Sequence, residues 1–423
     1  MSILRRDLLL GALSTPLVLN AEALLAAENK LELRLWPGED SSRVTIESGS
    51  KFTYVMQILR NKHPYRVVLD IRGLRLSPDF AKKLKAFRPR DQFISGVRAG
   101  QFKPDVVRVV FELKKDAAVR AHSAKPIAGY AYRLIVELDS LEADPMDRIV
   151  QDSSVRQSNQ AAARSNRIIE NKPQPAPSAK PTKRGGKGPE TLIVVIDPGH
   201  GGEDPGAVGR TYKTYEKRVA LQISQLLARN INGTRGMKAI LTRNSDVFIP
   251  LYKRAGLAVK NRAHLFVSVH ADAWTKTSAH GSSVFTLSIG GASSLQARWL
   301  AQTQNRSDEI GGLEFKNVAQ QARSTVVDML AETKLRYGMQ LGGEVLGELS
   351  KVGTLHHDTV ESAQFAVLKA QGVPSILVET GFLSNPDDEK RLRDPAHQKR
   401  IANAIFRGIC NAVQDDPSLL RGA

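Results

Sequence analysis

The stretch that most restricts the fold of this chain runs from Ile193 to Lys217. It reads I-V-V-I-D-P-G-H-G-G-E-D-P-G-A-V-G, then a short polar loop and Y-E-K. Its first four residues are apolar and β-branched, the composition of a strand covered on both faces of a sheet. Pro198 and Gly199 stop that strand abruptly and leave His200 just past its end. Ligands of open α/β sheets gather in the crevice beyond the carboxyl ends of the strands. Sixteen residues later Glu216 opens an amphipathic helix bearing Val219, Leu221, Ile223, Leu226 and Leu227. A second buried strand, Leu265-Phe-Val-Ser-Val, ends in the same manner at His270. Two histidines at strand ends and one carboxylate at a helix start predict a three-ligand zinc site with an open fourth position.

A fourth element follows the same architecture. Ser375-Ile-Leu-Val-Glu-Thr-Gly381 reads as a buried strand ending in an acid, Glu379. A carboxylate in an apolar setting is costly unless it is paired or used. Asp272, two residues past His270, suits a supporting or loop-fixing role. His264, His280, His356 and His357 are alternative ligands, with His280 and the 356–357 pair placed on the outer or substrate side.

D-P-G-H-G-G (197–202), Glu216 in Y-E-K, S-V-H-A-D (268–272) and V-E-T-G-F (378–382) recur in this order over roughly residues 190 to 415. Together they resemble the zinc-dependent N-acetylmuramoyl-L-alanine amidases, periplasmic or wall-associated enzymes that cut glycan from stem peptide, often during cell separation. A lone D-P-G-H would be weak; all four, each at a strand or helix end, are specific. The resemblance implies one Zn2+ per chain on His200, Glu216 and His270, with Glu379 as general base. It implies peptidoglycan as the substrate.

The remainder of the chain frames that unit. The formal charge of +18 points to a polymer partner: nucleic acid, anionic lipid or an acidic wall polymer. No helix-turn-helix, zinc-finger or RNA-binding signature accompanies it, so nucleic acid is not an expected partner. Cys410, the one cysteine, lies in an apolar helical pattern, is expected in the core, and cannot form an intrachain disulfide. Arg5-Arg6, the apolar run from Leu8 to Leu19 and Ala21-Glu-Ala23 read as an export signal over 1–23. Leu4-Arg-Arg-Asp-Leu-Leu9 resembles a twin-arginine signal whose usual Ser and Phe are replaced by Leu; an ordinary secretory signal is the alternative. The mature chain is expected in the periplasm, at the division septum, as a monomer with no integral membrane segment.

Residues 30–140 read as an all-β sandwich. Tyr65–Ile71, Val107–Leu113 and Tyr132–Leu138 each carry an early Arg, a β-rich middle and an acid between apolar residues. This unit resembles the AMIN domains that target such amidases to peptidoglycan. Residues 141–190, rich in Gln, Ser, Asn, Ala, Arg and then Pro, read as a disordered linker. Its semi-stiff proline part would let two domains reach separate points on a large polymer. From 191 to 415, strands and helices alternate and predict an α/β domain with a mostly parallel sheet flanked by helices. The short tail after the last helix suggests no further wall-binding module.

Within that unit, residues 290–360 read as a helix-rich insertion, helical from Ser293 to about Gln304 and from Val318 to Leu349. In the division-associated amidases it resembles, such an insertion blocks the zinc until a periplasmic activator protein binds, with a glutamate at the open zinc position. Counting from S-V-H-A-D places Gln304 there. A neutral amide binds zinc weakly, so Asp308 or Glu309 substitutes, or the helix occludes by bulk alone. Two further readings stay open: a wall-binding scaffold that retains the fold, and a zinc peptidase. Intact His200, Glu216, His270 and Glu379 speak against the scaffold; product analysis separates the peptidase.

Overall fold

The computed structural model describes residues 31–38, 41–87, 89–141, 191–313 and 330–417. The export signal expected at 1–23, the expected linker past residue 141 and the part of the insertion at 314–329 lie outside the described residues.

The first domain is built from two four-stranded antiparallel sheets. One has the order β1 (Leu31–Pro37), β2 (Ser41–Ser48), β8 (Tyr132–Asp139), β7 (Ala118–Ala124). The other has the order β3 (Thr53–Leu59), β4 (Tyr65–Arg72), β6 (Val106–Leu113), β5 (Ile94–Lys103). Alternate residues of the inner strands form one core: Val44 and Ile46, Leu134 and Val136, Val67 and Leu69, Val107 and Val109. The three segments with the shared pattern are β4, β6 and β8, each paired on both sides. One helix interrupts the β succession, α1 (Pro78–Ala86). Ser77 Oγ accepts from Phe80 N at 3.2 Å, Pro78 occupies the first turn, and Phe80 and Leu84 are buried. Pro78 is a helix starter there, and its missing N–H costs nothing.

The second domain carries a six-stranded sheet of order β10 (Met237–Leu241), β9 (Leu192–Pro198), β11 (Leu265–His270), β14 (Ser375–Glu379), β12 (Ser283–Leu287), β13 (Glu361–Ala363). All pairings are parallel except β12 with β14. Both faces are covered, as the near-continuous apolar runs require. Val194, Ile196, Val267 and Val378 pack with α2 (Glu216–Asn232), α6 (Leu330–Ser350) and α8 (Pro395–Asp415). Val195, Phe266 and Leu377 face the other way, onto α3 (Leu251–Lys260) and α4 (Leu295–Asn305). Two short helices complete the order, α5 (Ser307–Ile310) and α7 (Pro386–Leu392).

Within the insertion expected over 290–360, Leu341, Val345, Leu346 and Leu349 of α6 belong to the main core. Helical spacing of apolar residues shows that a helix buries one face, not what it buries that face against. Cys410 on α8 is half-buried rather than a core residue.

Candidate metal centre

Strand register assembles the site. β11 pairs with β14 so that His270 lies beside Glu379, and with β9 so that Ser268 lies beside Asp197. His200 follows β9 in the left-handed region, at φ 60°, a conformation disfavoured for a residue with a side chain. The next turns bring α2 in, with Glu216 as its first residue. One ligand atom from each of His200, Glu216 and His270 lies within 4.8 Å of the others, and all three residues are buried. Gly206 allows this close approach: a Cβ there would lie 2.6 Å from Glu216 Oε2 and 2.7 Å from the His200 ring.

Hydrogen bonds decide which ring nitrogens face inward. His200 Nδ1 lies 2.7 Å from Asp204 Oδ2, which leaves Nε2 turned to Glu216 Oε1 at 3.1 Å. His270 Nε2 lies 3.1 Å from Ser268 Oγ, which leaves Nδ1 facing Glu216 Oε1 at 3.0 Å. Glu216 is fixed by two backbone amides, Ala207 N at 2.7 Å and Ala271 N at 3.0 Å. Glu379 accepts from Asp272 N at 3.0 Å through Oε2. Its Oε1 has no hydrogen-bond partner, and neither has His200 Nε2, although both are buried.

The electrostatics are those of crowded acids. Burial, with Asp272 and Glu216 nearby, pushes the Glu379 carboxyl well above the usual range. Burial and Glu216 push Asp272 up to about 7. Burial would lower the His200 imidazole, but Asp204 and Glu216 outweigh it and hold it well above its ordinary value. Burial also opposes ionisation of Glu216, yet His200 and His270 bring its carboxyl well below the usual range. Inward-turned nitrogens, an unpartnered carboxylate oxygen and an excess of buried acid suit a divalent cation, and the N,N,O donor set suits zinc.

The other sequence candidates fall as follows. Gln304 on α4 is buried and donates from Nε2 to Asp272 Oδ2 at 3.3 Å, so it reaches the site. Asp308 on α5 accepts from Leu251 N at 2.9 Å, at the start of α3. Glu309 pairs with Arg306 at 3.6 Å and is partly exposed. Neither is brought to the three ligand atoms. His264 Nδ1 accepts from Ile193 N at 3.0 Å and holds strand ends together. His356 and His357 share Gln296 Oε1, with His357 also 3.3 Å from Glu361; His280 is exposed.

Residues given no role by the sequence complete the setting. Asp204 orients His200, and Ser307 Oγ of α5 donates to the same Asp204 oxygen. Glu389 accepts from the amides of Thr211, Tyr212 and Thr214, fixing the loop that delivers Glu216. Asp388 takes the amides of Gly281 and Phe382. Asp204 was visible four residues past His200 in the same motif; Asp388 and Glu389 had no local signal beyond a helix start.

The N-acetylmuramoyl-L-alanine amidase family profile matches residues 194–411, and the AMIN domain profile matches residues 32–144. The N-acetylmuramoyl-L-alanine amidase AmiC of Escherichia coli O6:H1 is 40% identical over 426 residues, covering 99% of this chain and 98% of its own. AmiC of Neisseria meningitidis serogroup B is 35% identical over 378 residues, covering 89% and 88%. Among solved structures, the amidase AmiC2 of Nostoc punctiforme is 29% identical with a TM-score of 0.40, covering 54% of this chain and 99% of its own.

Proposed function

The chain belongs to the N-acetylmuramoyl-L-alanine amidase family and is an AMIN-containing peptidoglycan amidase; from that premise we propose that one zinc ion, held by His200, Glu216 and His270, serves its hydrolysis of the bond between N-acetylmuramic acid and L-alanine. The observation that carries this reading is the convergence of three buried ligand atoms within 4.8 Å, beside a carboxylate with an unpartnered oxygen. Zinc bound there would supply a water acidic enough to ionise near neutrality and a positive charge for the carbonyl oxygen. Asp204 and Ser268 keep the two imidazoles in the tautomers that turn a lone pair inward. Glu379 Oε1 takes a proton as the amide carbon is attacked and returns it to the alanine nitrogen as the bond breaks. The amide of Asp272 holds the other oxygen of Glu379 in place meanwhile.

We further propose that this arrangement is the closed form of the enzyme. His200 is 7% exposed, His270 4%, and Glu216 and Glu379 0%, so little of the four side chains meets solvent in this arrangement. The described cover includes α4, through Gln304, and α5, through Ser307. A periplasmic partner that draws α4 and α5 aside would open the site for daughter-cell separation. Export by the twin-arginine route, and septal placement by the first domain, belong to the same proposal. Among the described residues no helix is long and apolar enough to cross a membrane.

The test is mass spectrometry of digested wall sacculi, with metal analysis of the same protein. Free stem peptides beside peptide-free glycan, and one zinc per chain, are the expected results. Cleavage within the stem peptide, or a chain without zinc, overturns the proposal.

A further inference from the structure

A second set of buried charges lies where the first domain meets the second. In the sheet β1-β2-β8-β7, one set of alternating residues packs inward, including Val44, Ile46, Leu134 and Val136. The opposite set, Arg43, Thr45, Arg133 and Ile135, points outward, where a sandwich faces water. Yet Arg43 is 5% exposed, and Thr45, Arg133 and Ile135 are 0%. The second domain covers them. Arg43 Nη2 donates to Gly311 O at 2.6 Å, and Arg133 Nη1 donates to Ile310 O. Glu203, itself wholly buried, lies 3.4 Å from Arg43 and 3.9 Å from Arg133, and its carbonyl accepts from Tyr130 Oη at 2.7 Å. The Arg43 guanidinium lies over the Phe248 ring at 4.6 Å, and Lys217 Nζ over Trp36 at 4.9 Å. Gly312, at φ 85°, touches Ile135 so closely that a Cβ would come within 2.2 Å of its Cδ1. The two domains are thus in direct contact in this arrangement.

The points of contact are not remote from the metal centre. Glu203 directly precedes Asp204, the partner of His200. Ile310 and Gly311 end the turn that begins at Ser307, which donates to the same Asp204. Three residues before Ser307 is Gln304, against Asp272. We infer that the outer face of β1-β2-β8-β7 is a docking surface for this chain's own catalytic domain, and that Arg43 and Arg133 fasten α4 and α5 over the metal centre by gripping Ile310 and Gly311. The second half rests on the reading of α4 and α5 as a cover. A buried guanidinium is tolerated only while a partner compensates its charge, and removal of either side leaves that charge stranded. When the domains part, both arginines regain water, so the contact is specific and reversible. The first domain is thereby a clamp on the enzyme as well as a wall-targeting module.

Hydrogen exchange on the full chain tests the dock, with hydrolysis of sacculi and zinc content measured on the same samples. In a double variant, Arg43→Glu with Arg133→Glu, exchange at 201–204 and 307–313 should quicken about tenfold or more, with β11 unchanged. Hydrolysis should rise about fivefold or more, the lower end of common coupling between sites. If the acidic pair unfolds the first domain, Arg43→Met with Arg133→Met keeps the apolar stems and gives the same readout. Unchanged exchange in a folded variant overturns the dock. Faster exchange without faster hydrolysis overturns the clamp. A chain that binds no zinc overturns the metal reading instead, while the exchange rates still decide the dock.

Discussion

Two layers of buried charge lie at the carboxyl ends of the same strands, and they are completed differently. The deeper layer is Asp197 with Arg254 and Arg243. Asp197 accepts from Thr242, Ser268 and Arg254 at 2.6, 2.8 and 3.1 Å. Arg254 also donates to the carbonyls of Ile249, Pro198 and His200, and Arg243 to those of Pro198, Gly199, Ser245 and Lys217. No polar side-chain atom of these three residues is left without a partner. The upper layer is His200, Glu216, His270 and Glu379, two or three residues further along the chain in the case of His200 and His270. There Glu379 Oε1 stays unpartnered, His200 Nε2 has only the Glu216 carboxylate 3.1 Å away, and burial pushes Glu379 well above the usual carboxylate range. A saturated network fixes a backbone; an unsaturated one is held ready for something else. The lower layer shapes the strand ends, and the upper layer uses them.

This contrast predicts opposite failures. Glu379→Ala should cut hydrolysis of sacculi by about 10²- to 10⁴-fold, the usual contribution of a general base, with zinc content unchanged. Full activity in that variant would place Glu379 in the structural layer. Arg254→Met should instead lower stability, by about 3–5 kcal/mol, because it strands the buried Asp197 carboxylate. Denaturant unfolding of the catalytic domain reads this directly, and a midpoint equal to the parent's would remove the distinction drawn here. Asp204→Ala lies between the layers, since Asp204 orients His200 without belonging to the proposed ligand set. Zinc affinity is expected to fall about 10- to 100-fold, with the fold intact.

The upper layer was the legible one. His200, His270 and Glu379 each end an apolar run, and a parallel sheet brings the ends of adjacent strands together, so the sequence pattern itself implied a shared crevice. The lower layer was not legible, because Asp197 and Arg254 meet across 57 residues and nothing local marks an arginine that will be buried. In the first domain the same limit applies to whole strands. β4, β6 and β8 are inner strands with strong apolar alternation, whereas β5 ends in the exposed run Gly100-Gln-Phe-Lys103 and gave no such signal. Nothing local marked Arg43 and Arg133 as buried, because alternation reports the face of a sheet and not what later covers it.

Ser268 belongs to both layers, and the smallest predicted effect tests whether one supports the other. Its hydroxyl donates to Asp197 Oδ2 at 2.8 Å and lies 3.1 Å from His270 Nε2. With that proton committed to Asp197, Ser268 Oγ can only accept from His270, which puts the imidazole proton on Nε2 and the lone pair on Nδ1, toward Glu216. Ser268→Ala removes both bonds at once. Stability should fall by about 1–2 kcal/mol, and zinc should bind more weakly by less than the tenfold lower bound set for Asp204→Ala. Ser268→Thr, which keeps the hydroxyl, should recover zinc binding more than stability, since its extra methyl must fit a fully buried site. If Ser268→Ala lowers stability and leaves zinc affinity untouched, the two layers are neighbours without being coupled, and Ser268 does not set the tautomer of His270.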